Sequence, residues 1–64
     1  MLAKRIKELR KQKGWSQQKL AEKTGLSINA VTKIEQGVAQ SPTLRTLIKL
    51  ADALEVTIDN LAGR

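Results

Sequence analysis

Sixty-four residues with 41% apolar content are enough for one small core and leave no room for a deep cavity. There is no cysteine and no histidine, which excludes disulfides and thiolate metal sites and removes the commonest metal ligand and general base, so neither a metal nor another cofactor is expected. Twelve Lys and Arg against six Asp and Glu leave a charge of +6, large for this size and suited to a polyanionic partner.

The first predicted helix covers residues 2–13. Leu2, Ile6 and Leu9 recur at helical spacing, with Ala3 beside them. Lys4, Arg5, Lys7, Arg10, Lys11 and Lys13 fill most of the remaining surface, and Gly14 should end the helix. Residues 1–23 hold eight of the twelve basic residues and two of the six acids, whereas Asp52, Glu55 and Asp59 come late. A basic amphipathic helix can also lie on a membrane surface, but this apolar side is narrow and carries no aromatic. No apolar run approaches the roughly 20 residues of a membrane span. Met1-Leu2-Ala3-Lys4 does not begin a signal peptide, so no membrane partner and a cytoplasmic location are expected. Trp15, the only aromatic, fits a half-buried wedge between helices better than a base-stacking platform, which usually offers several rings.

Ser16 is an N-cap for a second helix from Gln17 to Thr24, with Leu20 and Ala21 on its apolar side. Gly25 falls where the chain must turn abruptly, a place that favours a residue able to take positive φ. Ser27 then caps a third helix over Ile28–Gln36, and Gly37 closes it. At about 100° per residue, Ile28, Asn29, Thr32, Lys33 and Gln36 fall on one arc of this helix and Ala30, Val31 and Ile34 on the other. The second arc can anchor the helix to a core. The first offers amides, a hydroxyl, an ammonium and one bare isoleucine, groups suited to base edges and phosphates in a DNA major groove.

Val38-Ala39-Gln40-Ser41 is the one real loop expected. Pro42 blocks helix continuation, and Thr43 caps a fourth helix over Leu44–Leu54. Leu44, Leu47, Ile48, Leu50, Ala51 and Leu54 cover nearly half of its surface, which predicts the central packing helix. Glu55 takes the position after the helix where glycine or asparagine is favoured, at some backbone strain. Thr57 caps a last turn fixed by Ile58 and Leu61.

Trp15-Ser16-Gln17, Leu20-Ala21, Gly25-Leu26-Ser27, Val31 and Ile34-Glu35-Gln36-Gly37 resemble the signature of the Cro-type (XRE-like) helix-turn-helix family of phage repressors and bacterial regulators. Arg5, Leu9-Arg10, Gly14, Pro42, Leu47, Leu50-Ala51 and Leu54 fit the same pattern, so the resemblance covers nearly the whole chain. It implies an all-α, compact five-helix, lambda-repressor-like bundle forming one domain, with the helix-turn-helix at about residues 16–37. It further implies sequence-specific binding of double-stranded DNA by a transcriptional repressor or similar regulator. By resemblance Gln17 clamps a phosphate, and Glu35 pairs with Arg10 and turns its guanidinium toward another. Either that pair has this role or it is an ordinary surface ion pair.

On this reading Ile28, Asn29, Thr32 and Lys33 read bases. Arg10, Ser16, Gln17, Ser27, Gln36, Gln40, Ser41 and Thr43 contact phosphates, and Glu35, Gly25 and Gly37 support the geometry. The loop lacks the lysine or arginine often found there in the family, so its backbone contacts should be weak. The alternative is an antitoxin-like module that binds a protein partner. An enzyme is not expected, since no carboxylate pair or Gly-rich phosphate loop stands out. The chain could act as a monomer, as a weak homodimer, or as a dimer on DNA alone.

Overall fold

Four helices begin at a hydroxyl side chain that replaces a missing backbone acceptor. In the computed structural model, which describes residues 2–38 and 42–61, helix α1 spans Leu2–Gln12, α2 Gln17–Thr24, α3 Ile28–Glu35, α4 Leu44–Leu54 and α5 Ile58–Leu61. Ser16 Oγ accepts the Lys19 N–H at 3.0 Å, Ser27 Oγ that of Ala30 at 3.1 Å, Thr43 Oγ1 that of Thr46 at 3.1 Å and Thr57 Oγ1 that of Asn60 at 3.0 Å. Each cap satisfies one of the orphan N–H groups of a first turn and is worth about 1 kcal/mol. No strand occurs among the described residues.

Three helix ends share one backbone hook. The N–H of Trp15 reaches Arg10 O at 3.2 Å, that of Val38 reaches Lys33 O at 3.0 Å, and that of Val56 reaches Ala51 O at 3.0 Å. The hook needs positive φ in the residue just before it. Gly37 supplies it after α3 at 74°, whereas Glu55 supplies it after α4 at 59°. Glu55 is the one non-glycine with positive φ among the described residues, and a residue with a Cβ adopts that conformation under strain. Its carboxylate accepts from Lys13 Nζ at 2.8 Å, which ties the end of α4 to the end of α1. The hooks also shorten two helices against expectation: α1 stops at Gln12, and Gln36 caps α3 instead of ending it.

The core takes Ile6 and Leu9 from α1, Leu20 and Ala21 from α2, Val31 and Ile34 from α3, Leu50, Ala51 and Leu54 from α4, and Leu61 from α5. Trp15 is half-buried against this cluster, as the wedge reading requires. α3 packs on α1 and α2, while α4 packs on α1, α2 and α5. α4 gives the core three residues and touches three other helices, yet part of its apolar arc stays uncovered. Its neighbours cover the Leu50–Leu54 side and leave Leu44 64% and Ile48 42% exposed, so its apolar arc is wider than its core contact.

Candidate functional site

The turn between α2 and α3 is built from short-range bonds. Gly25 sits at φ 76° and donates its N–H to Ala21 O at 2.9 Å. Thr24 Oγ1 donates to Leu20 O at 2.8 Å and accepts the Leu26 N–H at 3.2 Å, so the turn is pinned from both sides. Val31 and Ile34 then face the core, 1% and 6% exposed. With that side buried, the 100° step of the helix forces Ile28, Asn29, Lys33 and Gln36 outward, and all four are exposed. Ile28 keeps 48% of its surface in solvent. An open groove of about 410 Å³ runs along this side, with Ser27, Asn29 and Lys33 on one wall and Pro42, Thr43 and Thr46 on the other.

Behind the outward side, a chain of polar contacts links α1, α2 and α3. Arg10 Nε donates to Glu35 Oε2 at 2.7 Å and Nη2 to Glu35 Oε1 at 3.0 Å, a two-point grip on the carboxylate. Arg10 Nη1 donates to the Trp15 carbonyl at 2.7 Å. Gln17 Nε2 donates to Glu35 Oε1 at 3.1 Å, and Thr32 Oγ1 donates to Gln17 Oε1 at 3.3 Å. Glu35 is 4% exposed and Arg10 9%, so this is no surface ion pair. Every buried side-chain nitrogen and oxygen among the described residues has a partner, as low local polarity demands.

The predicted residues therefore fall into three groups. Ile28, Asn29, Lys33 and Gln36 share the exposed side of α3, and Ser27 and Thr43 reach the same groove. Gln17 lies against that side through Thr32, with capping Ser16 before it. Arg10 and Glu35 stand behind, holding α1 to α3. Thr32 is half-buried with its hydroxyl committed to Gln17, unlike its arc-mates. Gln40 and Ser41 lie outside the described residues. Two contributors were not anticipated. Thr46 lines the groove one turn after the Thr43 cap, a position that could have been read from helix spacing. The Trp15 carbonyl serves as an acceptor for Arg10, which no residue type announces. The ammonium groups of Lys13 and Lys23 lie 5.3 and 5.9 Å from the Trp15 indole centroid. Among the described residues no helix is long and apolar enough to cross a membrane.

Two helices meeting at a glycine turn, the second anchored by one side and bare on the other, define a helix-turn-helix fold within an all-helical bundle. The chain belongs to the helix-turn-helix family, whose family model matches residues 6–61. It is 36% identical over 61 residues to the HTH-type transcriptional regulator SinR of Bacillus subtilis (strain 168), covering 95% of this chain and 55% of SinR. It is 38% identical over 63 residues to the cryptic phage CTXphi transcriptional repressor RstR of Vibrio cholerae, covering 98% of this chain and 55% of RstR. The HTH-type transcriptional regulator SutR of Escherichia coli (strain K12) is 46% identical over 55 residues, 86% of this chain and 30% of SutR. The chain spans about half the length of the first two relatives. A crystal structure of SinR in complex with DNA superposes with a TM-score of 0.92 at 35% identity, covering 97% of this chain and 98% of that one. The SinR protein/SinI protein complex superposes at 0.91 with 36% identity, covering 95% and 59%.

Proposed function

We propose that the chain is a sequence-specific double-stranded DNA-binding domain of a transcriptional regulator, with α3 lying in the major groove. The observation that carries this is the exposure of Asn29 and Lys33 on the side of α3 opposite buried Val31 and Ile34, beside the first turn of α2. The likeness to SinR, solved in complex with DNA, supports DNA as the partner.

Asn29 pairs with an adenine edge, Lys33 donates to guanine O6 or N7, and Ile28 meets a thymine methyl. Phosphates are met around them. The first turn of α2 offers Ser16, Gln17 and unpaired backbone N–H groups at the positive end of the helix dipole. Ser27, Gln36, Thr43 and the Gln40–Ser41 loop complete the set, which fixes register without reading sequence. Arg10 contributes from behind: with its guanidinium buried on Glu35, it orients α3 and leaves only its remaining N–H edge for a phosphate.

The test is a salt titration of duplex binding. Affinity should fall steeply with salt, by about 0.9 in log–log slope for each phosphate that a Lys or Arg neutralises. Tight binding that ignores salt would refute the interface. Selection from a random duplex library counts the copies bound: a palindrome with half-sites about 34–36 Å apart requires a pair, and a lone half-site a monomer.

A further inference from the structure

We propose that Thr32 is a positioning residue for the phosphate contact of Gln17, and not a reader of bases. This rests on the DNA-binding reading, and it starts from which atoms can face which. The Glu35 carboxylate, gripped by Arg10, can only accept. The Gln17 atom that meets it at 3.1 Å is therefore the amide nitrogen, and that settles the flip of the amide. Oε1 is consequently turned toward α3, where the Thr32 hydroxyl donates to it at 3.3 Å.

Two consequences follow. The single Thr32 proton is committed inside the protein, and Thr32 is half-buried where the side chains of Asn29 and Lys33 are exposed and free of hydrogen bonds among the described residues. Second, the Gln17 amide is held at both ends. Its nitrogen keeps one N–H beyond the bond to Glu35, on the same first turn as the unpaired backbone N–H groups of Gln17 and Gln18. A phosphate arriving there meets donors that are already aimed. Removing the Thr32 hydroxyl leaves the amide with one anchor and scatters that aim, while the side chains that face the bases stay as they were.

The experiment compares Thr32→Val, which keeps the shape and loses the hydroxyl, with Thr32→Ser, which keeps the hydroxyl. Binding is measured on the selected duplex and its single-base variants across salt. Thr32→Val should weaken every duplex by the same factor, about 3- to 10-fold for one net hydrogen bond, and leave the salt slope unchanged because the Gln17 amide is neutral. Thr32→Ser should restore the affinity, and Thr32→Val should add nothing in a Gln17→Ala background. A change of preference at one base pair that persists in the Gln17→Ala background would overturn the proposal. NMR signals of the Gln17 side-chain amide, recorded without DNA, separate this inference from the one beneath it. If wild type binds no duplex at low salt while Thr32→Val shifts those signals, the DNA reading falls and takes the phosphate role with it, leaving only the hold of Thr32 on the Gln17 amide. If duplexes bind and the signals do not respond, the positioning falls alone.

Discussion

Glu35→Ala is the sharpest test of how the bundle is held. The substitution strips the partner from an Arg10 side chain that is 11% exposed, and from the Gln17 amide as well. The Trp15 carbonyl alone would remain to solvate the guanidinium. Breaking a buried pair from one side removes about 3–5 kcal/mol. A domain of this length is stable by only about 3–10 kcal/mol in total. The variant should therefore lose at least about 30% of its stability, or about 12 °C or more in Tm. Urea unfolding followed by helical circular dichroism reads this directly, and an unchanged slope shows that the folded state is the same. The double variant Arg10→Met/Glu35→Leu should recover most of the loss, because two apolar groups of similar volume leave no orphaned charge. The four-member cycle should then yield a coupling of at least about 2 kcal/mol. A loss below about 1 kcal/mol for Glu35→Ala, the value typical of an exposed pair, would refute this reasoning.

Other perturbations address separate parts of the molecule. Glu55→Gly relieves the left-handed backbone at the end of α4 and should raise Tm by roughly 3–6 °C, even with the exposed Lys13 bridge lost; a lower Tm would mean that the bridge outweighs the strain. The hydrogen bond and charge of Lys13 hold the Glu55 carboxyl below its ordinary 4.5. Because the folded value is the lower one, the bridge stabilises fully above about pH 4.5 and fades as pH falls through the folded value. Lys13→Met should thus lie below wild type at neutral pH by a gap that narrows in acid as the Glu55 bridge is lost, whereas a constant gap in Tm at every pH would assign the whole loss to the contact with Trp15 and packing. On DNA, Lys33→Ala should change which base is preferred, and Gln17→Ala should weaken all sites alike; equal losses on every duplex for both variants would erase the division of roles. Thr43→Ala removes the α4 cap and should lower stability by about 1 kcal/mol, seen in the same urea assay.

The parts legible in the chain are those decided by near neighbours. Ser16, Ser27, Thr43 and Thr57 cap because each hydroxyl reaches a backbone group only three residues on. Val31 and Ile34 turn inward because the period of the helix requires it once one side is apolar. Even the strained Glu55 could be foreseen, since it follows the last periodic residue of α4. The parts that could not be read are set by elements meeting across the fold. Arg10 and Glu35 are 25 residues apart, and a charge pattern does not tell a buried pair from a solvated one. A helical wheel puts Thr32 with the exposed residues Asn29 and Lys33, yet Gln17 arrives from α2 to claim its hydroxyl. Leu44 and Ile48 continue an apolar arc whose covered width depends on which helices pack there.

The relay from Arg10 through Glu35 and Gln17 to Thr32 makes α3 part of a stiff frame before any ligand arrives. A helix braced in this way brings little backbone disorder to be quenched on contact. Association then loses mainly the rotamer freedom of Asn29 and Lys33, so calorimetry should show the modest heat-capacity change of two preformed surfaces meeting, without the larger one of coupled folding.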